Sequence, residues 1–85
     1  MPYEVEYREN VVPKLQKLDK YELSIINKKI EQILLDPYRY KPLSNIMKGF
    51  LRTHVLKSYV LVFSVDEEKS KVIIEDFDHH DKIYR

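Results

Sequence analysis

A chain of 85 residues is large enough for one domain, residues 1–85, with a single hydrophobic core. Its 44% hydrophobic and 34% charged content is that of a folded chain rather than a disordered one, and the absence of cysteine excludes a disulfide framework or a thiolate metal site. Fifteen basic residues against fourteen acidic ones leave a net charge of +1, which excludes a broadly basic nucleic-acid-binding surface, so any positive face must be local.

No apolar run approaches the length of a membrane span, and the opening MPYEVEYRE lacks the apolar stretch of a secretory signal. No membrane partner is expected, and the expected location is the cytoplasm.

Residues 3–8 alternate, with Tyr3, Val5 and Tyr7 on one side and Glu4, Glu6 and Arg8 on the other, the pattern of a strand with one buried face. Asn10 stands where it can cap a short helix, and Pro13 is tolerated in a first turn whose amides have no intrahelical partner. Val11, Leu15 and Leu18 keep helical spacing, but the stripe then lands on Glu22. The segment Asp19-Lys20-Tyr21-Glu22 has the form of a second N-cap with its acidic residue three positions on. A second helix follows to about Leu35 with the stripe Leu23, Ile26, Ile30, Ile33 and Leu34, and Asp36-Pro37 ends it.

Residues 36–47 read as an irregular connector containing two prolines. Gly49, the only glycine, precedes the next strand, where a turn or a close backbone approach needs it. Three strands then follow, FLRTHVL, SYVLVF and KVIIEDF, joined by tight links at Lys57-Ser58 and at residues 66–70, an antiparallel meander. The expected fold is α+β: strand, helix, helix, strand, strand, strand, with an antiparallel sheet covered on one face by a helical hairpin.

The chemistry-bearing groups concentrate in this last block, which holds all three histidines. Residues 48–57 contain Lys48, Arg52, His54 and Lys57 with no acid among them, a local positive face, although a solvated strand face has the same composition. Arg52 and His54 are two apart and share a strand face with Phe50 and Leu56, while Leu51, Thr53 and Val55 suit packing against helices. Tyr59, Leu61, Phe63 and Val65 form the matching inner face of the next strand, which leaves Val60 pointing outward beside Arg52 and His54. His79 and His80 between Asp78 and Asp81 suggest a metal site, but adjacent strand residues face opposite ways and no third ligand is evident, so no metal is expected.

The order of elements, together with Lys41-Pro42-Leu43, Lys48-Gly49, the strands LRTHVL and SYVLVF and the closing HHDKIY, resembles the RelE/ParE superfamily of toxins from prokaryotic toxin–antitoxin pairs. The resemblance covers essentially the whole chain. It implies a ribosome-dependent endoribonuclease that cuts mRNA by attack of a 2′-hydroxyl, needs no cofactor, and is held inactive by a RelB-like antitoxin. It also implies Arg52, His54, His80 and Tyr84 as catalytic residues, with Lys48, Lys57 and Arg85 binding substrate. Such a set suits the reaction. Imidazoles transfer protons near neutral pH, a guanidinium holds phosphate through fixed donors, and an aromatic ring stacks on a splayed base. Each residue also has a plainer reading: exposed strand residues for Arg52 and His54, a helix cap for His80, and cover for the core edge for Tyr84. Val60 stands where the superfamily's Gly-Tyr-Arg turn carries arginine. That departure keeps two alternatives open, a ParE-like protein that binds and poisons DNA gyrase, and a degenerate member that only binds antitoxin.

Overall fold

The computed structural model of the chain describes residues 3–43 and 49–84. The alternating segment forms β1 (Glu4–Tyr7), followed by α1 (Val11–Gln16) and α2 (Lys20–Leu35). A 3-10 turn (Pro37–Arg39) leads to β2 (Lys41–Pro42), and after Gly49 come β3 (Leu51–Val55), β4 (Tyr59–Asp66), β5 (Lys71–His79) and the short α3 (His80–Ile83).

The start of α2 is built as its sequence requires. The Asp19 carboxylate accepts from the Glu22 N–H at 2.8 Å while the Glu22 carboxylate accepts from the Asp19 N–H at 3.0 Å, a reciprocal capping box. Asn10 does not cap α1 as expected; its side-chain amide instead donates to the Glu75 carbonyl at 3.2 Å and ties α1 to β5. That contact wins because β5 has bare backbone there.

The strands lie in the order β1-β5-β4-β3-β2. The meander β3-β4-β5 is antiparallel, as expected. β1, however, runs parallel to β5, pairing Glu4 with Lys71 through Tyr7 with Ile74, so the sheet as a whole is mixed. Within the connector at 36–47, residues 36–43 are also more regular than their prolines suggest. Lys41 pairs with Arg52 and Pro42 with Leu51, and the Leu43 N–H donates to the Phe50 carbonyl at 2.8 Å. Pro42 is tolerated because β2 is an edge strand, where a missing amide breaks no second ladder.

The helical hairpin covers the inner face. Val11, Ile26, Ile30 and Ile33 pack with Val55, Leu61, Phe63, Val72, Ile74 and Phe77 in one buried cluster, with Leu51 and Tyr59 packed against it. The inner-face parities expected for β3 and β4 are those observed. Far from the later site, Tyr3 and Tyr38 both donate their hydroxyls to the Glu67 carboxylate, tying the 3-10 turn to the β4–β5 link. That hydrogen bond to a carboxylate pushes the Tyr38 phenol up to about 12.

One irregularity decides which β5 side chains face outward. Val62 pairs with Asp76 but Phe63 pairs with Ile74, so Glu75 is an extra residue, a β-bulge. Strict alternation from Val72 and Ile74 would carry Asp76 inward and Phe77 outward. The bulge reverses this, placing Phe77 in the core and Asp76 and Asp78 on the outer face. Glu75 is held there by Arg8 Nε at 3.0 Å and by the Ser64 hydroxyl at 2.6 Å.

Candidate active site

The meander's register builds the site in two rows across the outer face. Arg52 of β3 lies opposite Val62 of β4, which lies opposite Asp76 of β5; one step along, His54 lies opposite Val60 and Val60 opposite Asp78. α3 leaves the end of β5 and turns back over this face, fixed by the His80 N–H donating to the Ser58 carbonyl at 2.7 Å. The His79 side chain caps α3 by accepting from the Asp81 N–H at 3.3 Å.

This return brings the chain's tail onto β3. The His54 and His80 rings stack with centroids 5.6 Å apart and planes 25° apart. Tyr84 lies 4.6 Å from His80 and 6.4 Å from His54 by ring centroids, and the Arg52 guanidinium carbon sits 5.8 Å over the Tyr84 ring, within cation–π range. All four residues expected to be catalytic therefore converge on one patch. Arg52 Nε is buried with no hydrogen-bond partner among the described residues.

The other expected residues are placed differently. Lys57 is exposed in the β3–β4 turn, in a left-handed backbone conformation with φ of 65°, beside the Ser58 that anchors α3. Lys48 and Arg85 lie outside the described residues. His79 faces away from His80 and meets the Tyr59 ring edge-on at 5.6 Å. Val60 is on the outer face, as parity requires, and it is fully buried. The burial has a simple cause: α3 and the tail roof this end of the sheet, so the position opposite His54 is an apolar floor.

Sequence reasoning missed the carboxylates beneath this patch. Lys14 Nζ bridges Asp76 Oδ1 at 2.8 Å and Asp78 Oδ2 at 2.9 Å. Each aspartate also accepts the next residue's N–H at 2.8 Å, from Phe77 and His79 respectively, on the stretch of β5 that β1 does not reach. Burial pushes the Asp78 carboxyl up, yet the hydrogen bonds from Lys14 and the His79 amide more than offset it and hold it below its ordinary value. Asp76 correspondingly raises the Lys14 ammonium, against a smaller opposing effect of burial. The bridge matters at the site, because two bare carboxylates in these rows would repel an anion arriving at Arg52. The alternation Asp-Phe-Asp at 76–78 was the available signal, but it is legible only once the bulge is known.

Relatives follow from this geometry. No protein-family model matches the chain. It is 46% identical over 86 residues, 98% of its own length and 92% of the relative's, to a protein of Methanocaldococcus jannaschii named "Putative toxin RelE4". A chain of the toxin–antitoxin complex RelBE2 from Mycobacterium tuberculosis superposes with a TM-score of 0.80 at 26% identity, covering 93% of this chain and 92% of that one. A double arginine-to-alanine mutant of the Escherichia coli toxin RelE in the free state gives 0.81 at 22% identity over 99% and 92% of the two chains, a likeness of fold. The sequence relationship, joined to the shared architecture, establishes that the chain belongs to the RelE-like toxin superfamily.

Proposed function

We propose that this toxin is an endoribonuclease that cleaves ribosome-bound mRNA by attack of a 2′-hydroxyl on its own phosphodiester. The observation that carries the reading is the convergence of Arg52, His54, His80 and Tyr84 on one roofed patch. The stacked imidazoles straddle the reacting phosphate. The neutral ring takes the 2′ proton and the protonated ring donates to the leaving 5′ oxygen, leaving a 2′,3′-cyclic phosphate. Arg52 stabilises the charge that builds on the non-bridging oxygens through the fixed donors of its guanidinium fork. Tyr84 stacks on a base splayed from the message. Lys48, Lys57 and Arg85 add contacts to the RNA backbone. Val60 supplies no charge, so the phosphate relies on Arg52 and the imidazoles, while the ribosome provides positioning that a near-neutral chain cannot.

The partner that restrains this activity is a RelB-like antitoxin. A chain of a RelBE2 toxin–antitoxin complex matches this one at 26% identity over nearly the full length, which supports that reading. The test is induction in cells lacking the antitoxin, with transcript ends mapped and plasmid supercoiling assayed. Cuts in translated message that vanish in His80→Ala and Arg52→Ala are expected. Altered supercoiling with intact message would replace this reading with gyrase binding, which the uncharged Val60 favours.

A further inference from the structure

A small pocket opens on the outer face directly beside Arg52, about 120 Å³ in volume and lined by Leu43, Phe50, Val62, Asp76, Lys82 and Ile83. Its floor, Val62, is the residue between Arg52 and Asp76 in the first cross-sheet row. Asp76 thus stands two strands from Arg52, about 10 Å at ordinary strand spacing, a span on the scale of one nucleotide. The walls are apolar and include an aromatic ring, and the polar groups are one carboxylate and one ammonium. In Asp76, Oδ1 is taken by Lys14 and by the Phe77 N–H, whereas Oδ2 has no hydrogen-bond partner among the described residues. Phosphate-binding guanidinium, apolar slot and free acceptor therefore lie in line.

We infer that this pocket holds the base of the nucleotide whose phosphate sits at Arg52, and that it selects a base carrying an exocyclic amino group over uracil. The inference rests on the RNA-cleaving role proposed above. A base ring fits between apolar walls as it does on other stacking surfaces. A single free carboxylate oxygen accepts from an amino group, the usual pairing of aspartate with cytosine N4. Cytosine, adenine and guanine can each present such a group with Lys82 donating to a neighbouring ring nitrogen or carbonyl. Uracil has one donor on that edge, N3–H, flanked on both sides by carbonyls. Aiming it at Asp76 brings a carbonyl oxygen against the carboxylate, two acceptors without a proton between them. A site built to accept a hydrogen bond discriminates strongly against a ligand that cannot supply it well.

The test uses the full chain and two readouts. In the first, backbone amide shifts are followed by NMR during titration with cytidine 3′-monophosphate and with uridine 3′-monophosphate. The cytidine nucleotide is expected to move Phe50, Val62, Asp76 and Ile83 and to bind roughly tenfold more tightly than the uridine one. Asp76→Asn, whose amide can turn a donor toward uracil, is expected to erase most of that ratio. Lys14→Met, which breaks the same ion pair without touching the pocket, is expected to preserve it. Equal binding of the two nucleotides, shifts elsewhere, or equal loss of selectivity in both variants would overturn the pocket. In the second readout, mapped cleavage ends are expected to be depleted of uracil at one fixed position beside the cut, with the depletion relieved in Asp76→Asn. Cuts without such depletion overturn the pocket but leave the nuclease reading intact. Selective nucleotide binding with no cuts at all supports the pocket and overturns the nuclease reading.

Discussion

His54 and His80 come from β3 and from the first residue of α3, yet their rings stack 5.6 Å apart on the outer sheet face. The stack exists because the His80 N–H is fixed to the Ser58 carbonyl in the turn just beyond β3. This makes the tail of the chain a wall of the site rather than an appendage to it.

Removal of either ring should abolish the proposed chemistry with little cost in stability, since both imidazoles are substantially exposed. His80→Ala and His54→Ala are each expected to slow cleavage about 10²–10⁴-fold, the usual contribution of a general acid or base. The double variant should be little worse than the singles, because the two act as one proton-transfer unit. His79→Ala removes the side-chain cap of α3 and the edge contact with Tyr59, about 1–2 kcal/mol together, and should reduce cleavage less than about tenfold. Single-turnover cleavage of programmed ribosomes measures all four.

Val60→Arg should not repair the site. The position is completely buried beneath the roofing tail, so an added guanidinium loses its water, and the Asp78 carboxylate opposite it is already engaged by Lys14. A loss of about 3 kcal/mol or more is expected, read as a fall in urea midpoint, whereas Val60→Ala should cost roughly 1–2 kcal/mol.

The Lys14–Asp76–Asp78 bridge should make stability depend on pH at both extremes. Asp78 sits below its ordinary pKa of 3.8, so its contribution is present above that value and lost as pH falls through the depressed one. Lys14 sits above 10.5, so its contribution is present below that value and lost as pH rises through the raised one. Asp78→Asn is therefore expected to cost about 1 kcal/mol at pH 7 and progressively less as pH falls below 3.8. Urea denaturation across that range checks it.

Lys57 stores backbone strain in the turn that anchors α3. With φ of 65° it adopts a conformation that non-glycine residues enter at a cost of about 1 kcal/mol, and asparagine enters more easily. Lys57→Asn should raise stability by about 0.5 kcal/mol. By removing a charge proposed to touch RNA, it should also weaken substrate binding. Thermal unfolding and a KM measurement separate the two effects.

Gly49 resolves an ambiguity that its neighbours in sequence could not. Its φ of +88° requires glycine, yet a Cβ placed there meets nothing within 4 Å, so the residue serves a turn and not a close approach. Gly49→Ala is expected to cost about 1 kcal/mol through the backbone alone, with no clash to relieve.

Much of this protein was legible locally. The Tyr3–Val5 face of β1, the capping box of α2, the helix stop before Pro37 and the inner faces of β3 and β4 are set by neighbours within a few residues, and the structure contains each of them, whereas Tyr7 of the same β1 face is exposed rather than buried. The four site residues were nameable too, since strand parity puts Arg52 and His54 on one face and the resemblance singles out His80 and Tyr84. The remaining features depend on contacts between distant segments. Asn10 had two possible partners, and the nearby bare edge of β5 claimed it. β1 found β5 rather than a strand adjacent in sequence, and β2 formed only because β3 had a free edge. The bulge at Glu75 is held by Arg8, just past β1, and by Ser64 of β4, and it alone turns Asp76 and Asp78 outward under the site. Residue order thus determined which side chains share a face, because backbone geometry repeats every two or 3.6 residues. Which faces meet, and that the tail folds back to join Arg52 and His54, was decided by tertiary packing, because only there do distant hydrogen-bonding groups compete for one another.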